Sequence, residues 1–323
     1  MQTWIAGAKV SLVTGALIAF AGACAAQDVY PSRALSMIVP FSAGSQPDLL
    51  GRALAEGLGK ALGQPIAVVN KEGAGGIIGV GAVAQSRPDG YTIGFGPQGQ
   101  FSIQPHIRKD LSYKLDSFEF LCQSNGGIFV VVVGPKSPHN TLAELIEAAR
   151  KAPGKTNFGS PGHATGPHLI GESIARESGV TLTHVPFRSV GDMYAQTVNG
   201  TVDFIVTTPT VLASGLGMKP LALLADERLA KYPAVPLLSE LGFKRSNLPG
   251  YIGVYAPKGI PAQASSALRK ACTQAVEAPG FKAASERIAT PVRYADGPAY
   301  AAGIAEDSRS MGELLTTLGV KTE

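Results

Sequence analysis

Two short segments of this chain have the residue types of anion-binding turns. The first is Leu35-Ser-Met-Ile-Val-Pro-Phe-Ser-Ala-Gly-Ser-Gln-Pro-Asp48, and the second is Thr156-Asn-Phe-Gly-Ser-Pro-Gly-His-Ala-Thr-Gly-Pro-His168. Each is predicted to join a short strand to the N-terminus of a helix. Backbone N–H groups and the positive dipole at such an N-terminus attract a carboxylate or a phosphate. A plain strand-to-helix connection has the same pattern, so either segment alone leaves both interpretations open.

Polar residues at the predicted helix starts are expected to cap them. Ser45 and Asp48 form the S-x-x-[DE] pattern of a capping box, in which both side chains accept from exposed backbone N–H groups. Thr165 is predicted to cap the second helix. The same box recurs in residues 141–144 and 189–192, where two further helices are predicted to begin.

Several side chains near the predicted strand ends could contact a ligand. Gln98 and Thr207 are predicted to lie at the mouths of the sheets and to contribute to selectivity. Arg188 could pair with a ligand carboxylate, or lie in solvent, where an ion pair contributes little. His163 and His168 lack the i, i+4 spacing of a helical metal pair, and we predict no metal site. His168 is either a polar residue of the first helical turn or a ligand contact.

The sequence contains no complete enzyme motif. Gly94–Gly99 fits G-x-G-x-x-G, but it includes Pro97 and follows the third predicted strand rather than the first. A phosphate-binding G-x-x-x-x-G-K-[ST] loop and a G-x-S-x-G nucleophile turn are absent. We therefore predict no catalytic residue and no cofactor.

The elements that must position these residues alternate between strand and helix. This alternation predicts α/β units with parallel strands, whose ligands bind beyond the carboxyl ends of the strands. The predicted strands are residues 35–39, 66–70, 91–95, 118–122, 128–133, 183–187, 203–207, 221–224 and 248–257. The predicted helices include residues 75–85, 261–278, 281–288 and 298–318.

Residues 1–26 have the pattern of an export signal. They contain one charged residue, Lys9, followed by the apolar run Val10–Gly22 and several small residues. The apolar run is shorter than a transmembrane helix requires. Removal of the signal by the ordinary peptidase is predicted, and lipidation of Cys24 is the less favoured alternative.

Composition limits the class of partner. The 323 residues carry a net charge of +4 with no basic cluster, so nucleic acid is not expected as a partner. The length suggests two domains, and 45% hydrophobic residues can supply two cores. Cys122 and Cys272 could pair in an oxidising compartment, but separate buried thiols are the favoured prediction, because a chain of this length needs no disulfide to build its core.

Six collinear segments carry a family resemblance over nearly all of the chain after the signal. They are similar to the recurring signatures of the substrate-binding proteins of tripartite tricarboxylate transporters, the Bug or TctC-like family. The segments are Tyr30–Arg33, Val39–Gly44 with Asp48, Asn70–Gly76, Pro88–Tyr91, His184–Phe187 and Pro249–Tyr251.

The resemblance implies a fold, a location and partners. The fold is the two-domain α/β Venus flytrap of type II periplasmic binding proteins, each domain a mainly parallel sheet flanked by helices. The family delivers small carboxylates to a membrane permease from the periplasm, and we expect a monomer. Its ligands are held mainly by backbone groups, hydroxyls and waters of the two loops. The ligand contacts expected here are Phe41, Ser42, Ala43, Gly44, Ser45, Asp48, Gln98, Ser160, Gly162, His163, Ala164, Thr165, His168, Arg188 and Thr207.

The chain departs from the family pattern close to the expected ligand. The family usually has glycine where Ser45 and Ala164 stand, and tyrosine, lysine and glycines where residues 187–190 are Phe-Arg-Ser-Val. These changes add bulk or remove a hydroxyl, so the resemblance implies a ligand class rather than a particular ligand. That class comprises dicarboxylates, tricarboxylates, acidic amino acids and aromatic acids.

Two domains are expected on either side of a cleft. Domain 1 is assigned to residues 27–127 plus 251–323 and domain 2 to residues 128–250, with hinges near Gly126-Gly127 and Gly250. Capture without reaction is the expected function. A secreted enzyme acting on a carboxylate in the same cleft, and a ligand sensor for a membrane signalling partner, are the alternatives.

Overall fold

The computed structural model describes residues 30–243 and 250–318. The predicted signal peptide with Cys24, and residues 248–249 of the last predicted strand, lie outside the described residues.

Short 3-10 turns occur at Ala74–Gly76, Leu115–Ser117 and Pro209–Ala213. The strands are β1 Leu35–Val39, β2 Ile66–Asn70, β3 Thr92–Pro97, β4 Phe118–Gly127, β5 Phe129–Val133, β6 Asn157–Ser160, β7 Thr183–Pro186, β8 Phe204–Thr207, β9 Lys219–Leu224, β10 Gly250–Pro257 and β11 Val292–Asp296. The helices are α1 Gln46–Leu62, α2 Ile77–Ala84, α3 Gly99–Ser102, α4 Gln104–Ile107, α5 Leu142–Lys151, α6 Gly166–Ser178, α7 Val190–Asn199, α8 Ala262–Glu277, α9 Pro279–Arg287 and α10 Gly297–Leu318.

These strands form two sheets. The first has the order β11-β4-β10-β3-β1-β2, and the second has the order β7-β6-β8-β5-β9. We call the six-stranded sheet with its helices the first lobe and the five-stranded sheet with its helices the second lobe. The prediction of a two-domain α/β fold is confirmed.

Both sheets are mixed rather than mainly parallel. β1 is parallel to β2 and β3, and β6 is parallel to β7 and β8. β10 is antiparallel to β3 and β4, and β5 is antiparallel to β8 and β9. The reason is that β5 and β10 arrive from the other lobe. They start at the cleft edge, where their neighbours end, and must run in the opposite direction.

Each sheet is covered by apolar helix faces on both sides. α1, α8 and α9 pack on one face of the first sheet, and α2 and α10 pack on the other. In the second lobe, Val131 and Val133 face one core while Val130 and Val132 face the other, as the alternation along a strand requires. The core that contains Val131 also takes in Ile103 of the loop before α4 and Met311 of α10. The start of α4 and the end of α10 therefore pack into the second lobe.

The prediction that Cys122 and Cys272 are separate thiols is wrong. They form a disulfide between β4 and α8, with their Cα atoms 6.5 Å apart. The two residues are 150 positions apart in the chain and meet because α8 packs across the sheet. Sequence spacing carries no sign of that contact.

The two crossings between the lobes lie side by side. Gly127 at the end of β4 is paired with Gly250 at the start of β10. A Cβ atom on Gly127 would lie 2.6 Å from the Cα of Gly250, so only glycine fits this approach. Among the described residues, no helix combines the length and the apolar character that crossing a membrane requires.

Candidate functional site

The first loop holds the N-terminus of α1 by bonds that differ from the predicted capping box. Ser45 occupies the N-cap position, but its hydroxyl donates to the Ser42 carbonyl (2.6 Å) instead of accepting from the helix. The Asp48 carboxylate accepts from the Gly44 N–H (2.9 Å), one residue before the expected donor. The first intrahelical bond runs from the Leu49 N–H to the Ser45 carbonyl (3.0 Å). The side chains therefore shape the loop and leave the N–H groups of the first turn without intrahelical acceptors.

Asp48 is fixed in place by two neighbours. Arg52 lies 2.9 Å from one of its carboxylate oxygens, and Asn70 donates to the same oxygen at 2.9 Å. Burial opposes ionisation, but the bonds from Arg52, the Gly44 N–H and Asn70 outweigh it and lower the pKa of Asp48. Asn70 also donates to the Phe41 carbonyl at 2.9 Å. Asp48 thus ties the loop to β2.

The second loop repeats this arrangement at the N-terminus of α6. Thr165 is at the N-cap, and its hydroxyl donates to the Gly162 carbonyl (2.8 Å) rather than capping the helix as predicted. The Ala164 N–H donates to Nδ1 of His168 at 3.1 Å, and the Leu169 N–H donates to the Thr165 carbonyl at 3.0 Å. By contrast, the Thr141 hydroxyl does accept from the N–H of Glu144 in α5, as predicted.

Three histidines pack together behind the second loop. The ring centroids of His168 and His184 are 4.0 Å apart, and those of His163 and His168 are 4.7 Å apart. Burial, with the positive charges that His168 and His163 would carry, lowers the pKa of His184 to about 3. The Ser160 hydroxyl lies 2.8 Å from Nε2 of His184. Within the described ranges, no group of three or more His, Cys, Asp or Glu side chains could hold a metal ion.

The N-termini of α1 and α6 line one cavity between the lobes. Its volume is about 80 Å³, and Ser45 and Thr165 stand on its two walls. None of the described lining residues is Asp, Glu, Lys, Arg or His. Five predicted contacts lie in this wall: Phe41, Ser45, Gln98, Thr165 and Thr207.

A second, wider opening of about 630 Å³ adjoins this cavity. The two share Phe41 and Pro161 as lining residues, and the predicted contacts Gly162, His163 and Arg188 line the opening instead of the cavity. Arg188 is exposed there and does not line the cavity. The remaining predicted contacts line neither space: Ser42, Ala43, Gly44, Asp48, Ser160, Ala164 and His168.

These features correspond to a known family. The family model of the tripartite tricarboxylate transporter family receptor matches residues 50–320. This chain belongs to that family. The resemblance inferred from the motifs is therefore confirmed.

Similar proteins agree with this assignment. BugT of Bordetella pertussis is 32% identical over 297 residues, which are 88% of this chain and 91% of BugT. The solved structure of the periplasmic binding protein BugD has a TM-score of 0.86 at 28% identity and covers 91% of this chain and 100% of its own. A structure of Rpa4515 from R. palustris with adipate shares the fold at 22% identity and a TM-score of 0.85, covering 91% of this chain and 100% of its own. The family is that of transporter receptors, and BugD is a periplasmic binding protein.

Two departures from the family's motifs have a structural consequence in this receptor. Ala164 keeps a left-handed backbone conformation, with φ at +54°, which explains why glycine is usual there. Val190 places its side chain in the cavity wall where glycine would leave space. The first departure costs backbone strain, and the second changes the shape of the receptor's cavity.

Sequence reasoning missed several wall residues of this receptor. The Tyr194 hydroxyl lies 3.2 Å from Oγ1 of Thr207, and burial raises the pKa of Tyr194. Phe129, the first residue of β5, packs against Gly166, where a Cβ would lie 3.2 Å from its ring. Tyr194 lies one helical turn after Val190, which places both on one face of α7, so this spacing was a local signal for it. Phe129 had no comparable signal. The cavity wall also includes Gln46, Pro47 and Ile252, which were not expected as contacts.

Gln98 links the cavity to the crossing strand. Its backbone N–H donates to the Tyr251 carbonyl, and its side-chain oxygen accepts from the Tyr251 N–H, both at 2.9 Å. Behind it, burial raises the pKa of the Asp307 carboxyl to about 6, and the Ser102 hydroxyl and the Gln98 amide lower that pKa in part. The Gln104 amide of α4, which packs into the second lobe, donates to the carbonyl of Ala164 at 2.9 Å. This bond ties the segment that follows Gln98 to the second loop.

Proposed function

We propose that this receptor captures a small carboxylate between its lobes in the periplasm and presents it to a membrane permease. One observation carries the proposal: the N-termini of α1 and α6 line the same cavity. Each helix terminus supplies backbone donors and a dipole equivalent to about half a positive charge. The two termini suit an anion held from both sides, without a cationic side chain.

The proposed contacts fall into two groups. Phe41, Ser45, Gln98, Thr165 and Thr207, which line the cavity, contact the ligand directly. The other predicted residues hold the two loops in shape or line the outer opening. They are Ser42, Ala43, Gly44, Asp48, Ser160, Gly162, His163, Ala164, His168 and Arg188.

Lobe closure is the proposed mechanism of capture. Residues 27–127 plus 251–323 form one proposed domain, and residues 128–250 form the other. The paired glycines Gly127 and Gly250 are the hinge, because side-chain packing does not restrain the backbone there. The closed form then presents a single surface from both lobes to the permease. A monomer is sufficient for this mechanism.

A ligand panel tests the proposal. Purified protein is heated with dicarboxylates, tricarboxylates, acidic amino acids and aromatic acids, including the adipate seen in the Rpa4515 structure. A ligand that binds only the native state stabilises it by about 2.7 kcal/mol at 100 times its dissociation constant. We expect one class to raise the melting temperature and to be recovered unchanged by mass spectrometry. Conversion of the compound favours an enzyme, and no response across the panel contradicts carboxylate binding.

Export is tested separately. If residues 1–26 are a signal peptide, the intact mass of the exported protein corresponds to a start between Cys24 and Asp28. A lipid mass on a chain beginning at Cys24 identifies the lipoprotein alternative. Retention of residues 1–23 contradicts the proposed periplasmic location.

A further inference from the structure

We infer that an anion captured in the cavity is bound together with a proton, which the buried carboxylate of Asp307 takes up. This inference rests on the proposed function and adds a control of its affinity by pH. It depends on where Asp307 lies, on the groups around it and on what separates it from the cavity.

Asp307 is buried where α10 passes from one lobe to the other. Tyr300 and Ile304, on the preceding turns of α10, belong to a core of the first lobe. Met311 and Leu315, on the following turns, belong to a core of the second lobe. Asp307 lies between these two pairs and is only 3% exposed. Water therefore compensates little of a negative charge on this side chain.

No cation compensates this carboxylate within the described part of the chain. Neither of its oxygens receives a hydrogen bond of normal geometry. The Ser102 hydroxyl and the Gln98 amide favour the charged form, but burial outweighs them and raises the pKa of Asp307 to about 6. An ordinary aspartate titrates at about pH 4. Asp307 therefore changes its charge close to neutral pH.

The other titratable side chains on and around α10 interact elsewhere. The exception is the Tyr251 phenol of β10, whose pKa the Asp307 carboxylate helps to raise. The helix α3 contributes no titratable side chain. The interacting pairs are His106 of α4 with Ser308, Arg293 of β11 with Asp226, Glu119 of β4 with Arg269, His168 of α6 with Glu172, and Glu306 of α10 with Arg309.

A single side chain separates the Asp307 carboxylate from the cavity. Gln98 lines the cavity, and its amide is also one of the two groups that favour the charged form of Asp307. The Tyr251 N–H donates to the side-chain oxygen of Gln98 at 2.9 Å, which holds Gln98 in this wall. An anion in the cavity and an ionised Asp307 therefore repel each other across a buried wall, where charges interact more strongly than in water.

The direction of the pH dependence follows from this repulsion. A bound anion raises the pKa of Asp307 further above its value of about 6 in the free protein. Above pH 6 the complex therefore holds a proton that the free protein has lost. Because linkage is reciprocal, protonation of Asp307 strengthens anion binding by the same factor. We expect affinity to fall as the pH rises from 6 to 8.

Calorimetric titration in buffers of different ionisation enthalpy measures the proton uptake. Adipate is the first probe, and the tightest binder of the ligand panel replaces it if adipate does not bind. A tenfold repulsion corresponds to about half a proton taken up per bound anion at pH 6.5 and to about threefold weaker binding at pH 8 than at pH 6.5. Histidines such as His163 and His168 are unchanged in the variants below, so their contribution is common to all of the proteins.

Two variants of α10 separate the charge of Asp307 from its packing. Asp307→Asn keeps the shape without the charge, so it should lose this proton uptake and bind the probe about tenfold more tightly than wild type at pH 8. Damage to packing would weaken binding instead. The control is Glu306→Gln, which removes an exposed carboxylate from the same helix and should keep wild-type proton uptake and affinity.

A second measurement needs no variant protein for its comparison. The carboxyl ¹³C resonance of Asp307 should titrate near pH 6 in the free protein and at a higher pH in the complex. An unchanged titration, equal proton uptake in wild type and Asp307→Asn, or weaker binding by Asp307→Asn at pH 8 overturns the inference and leaves carboxylate capture intact. If no carboxylate of the panel binds, the proposed function fails and the inference fails with it.

Discussion

The two loops that line the cavity have almost the same backbone design and different chemistry at one position. In each, a residue with positive φ (Gly44 or Ala164) precedes an N-cap hydroxyl that donates to the carbonyl three residues earlier. In each, proline is the second helical residue, and the third helical residue accepts from the N–H of the positive-φ residue. The acceptor is the carboxylate of Asp48 in the first loop and the imidazole of His168 in the second.

The difference shows that the backbone shape of the loop does not depend on whether the side chain that accepts the hydrogen bond is charged. A carboxylate at a helix N-terminus would compete with an anionic ligand unless its charge is compensated. Arg52 supplies the opposite charge to Asp48, and Asn70 donates a hydrogen bond to it. His168 accepts the equivalent bond at Nδ1, through a nitrogen lone pair that carries no negative charge. We therefore expect the two loops to respond alike to a charge in the cavity and differently to removal of the acceptor and to pH.

The largest expected effect comes from placing a charge in the cavity. Thr165→Asp puts a carboxylate on the cavity wall, where it repels the ligand. At 4 Å and an effective dielectric of about 20 the repulsion is about 4 kcal/mol, close to a thousandfold in affinity. Ser45→Asp should act similarly if both loops contact the ligand. Calorimetric titration with the carboxylate found in the panel gives the affinities.

The control for this prediction is Thr141→Asp. Thr141 is an exposed N-cap at the start of α5 and does not line the cavity, so affinity should be unchanged. Asp caps helices about as well as Thr, and thermal melts of the ligand-free variants check that they remain folded. Wild-type affinity in Thr165→Asp would remove the second loop from the site.

A smaller effect is expected from removing the acceptor of the first loop. Asp48→Ala leaves the Gly44 N–H and the Asn70 amide without their acceptor and should lower the free energy of unfolding by about 2 to 3 kcal/mol. Asp48→Asn keeps an oxygen for one of these donors and should lose about half as much, roughly 1 kcal/mol. Urea unfolding of the ligand-free protein measures both. Equal losses would mean that the charge opposite Arg52 matters more than the hydrogen bonds.

Acid should weaken the second loop selectively. The pKa of His184 is about 3 in the folded protein, against an ordinary value near 6.5 in the unfolded chain. The unfolded chain therefore takes up a proton below about pH 6.5 that the folded protein does not, so stability falls as the pH drops. From pH 6.5 to pH 5 the loss should be about 1 kcal/mol, because solvent around this partly exposed ring screens part of the shift. The lowered pKa of Asp48 leaves the first loop intact over this range.

The measurement is the difference in melting temperature between wild type and His184→Gln, taken from pH 5 to pH 8. Asp307, whose pKa is raised to about 6, titrates in the opposite sense and stabilises the folded protein as the pH falls. That contribution is common to both proteins and cancels in the comparison. Parallel pH profiles in the two proteins would show that His184 is not the destabilising group.

The smallest effects concern the positive-φ residues. A Cβ on Gly44 would meet nothing within 4 Å. Gly44→Ala should therefore lower the free energy of unfolding only through the strain of alanine at a positive φ, by about 1 kcal/mol. Ala164→Gly relieves a similar strain but removes a buried methyl group worth about 0.8 kcal/mol, so it should be nearly neutral. Urea unfolding distinguishes the two. A large loss in Ala164→Gly would show that packing, and not strain, dominates at that position.

Local patterns in the sequence were sufficient for most of the elements. The apolar run that ends at Pro40 predicts β1 with its observed bounds, and the capping residue Thr141 predicts the start of α5. The helices α3 and α4 and the strand β11 were missed. α3 and α4 have only four residues each, which is too short to show a helical period. The positions of strands and of helix starts depend mainly on residues that are close in the chain, so local sequence patterns predict them.

The sequence by itself also determined that two helix N-termini follow two similar loops, since each loop contains glycine and ends in a hydroxyl residue with a proline two positions later. Only the tertiary structure decided that both termini meet at one cavity, that Phe129 and Tyr194 complete its wall, and that Arg188 and His163 lie outside it. It also joined Cys122 to Cys272. These contacts depend on how helices pack across the sheets and how the lobes close, and residues far apart in the chain carry no local sign of either.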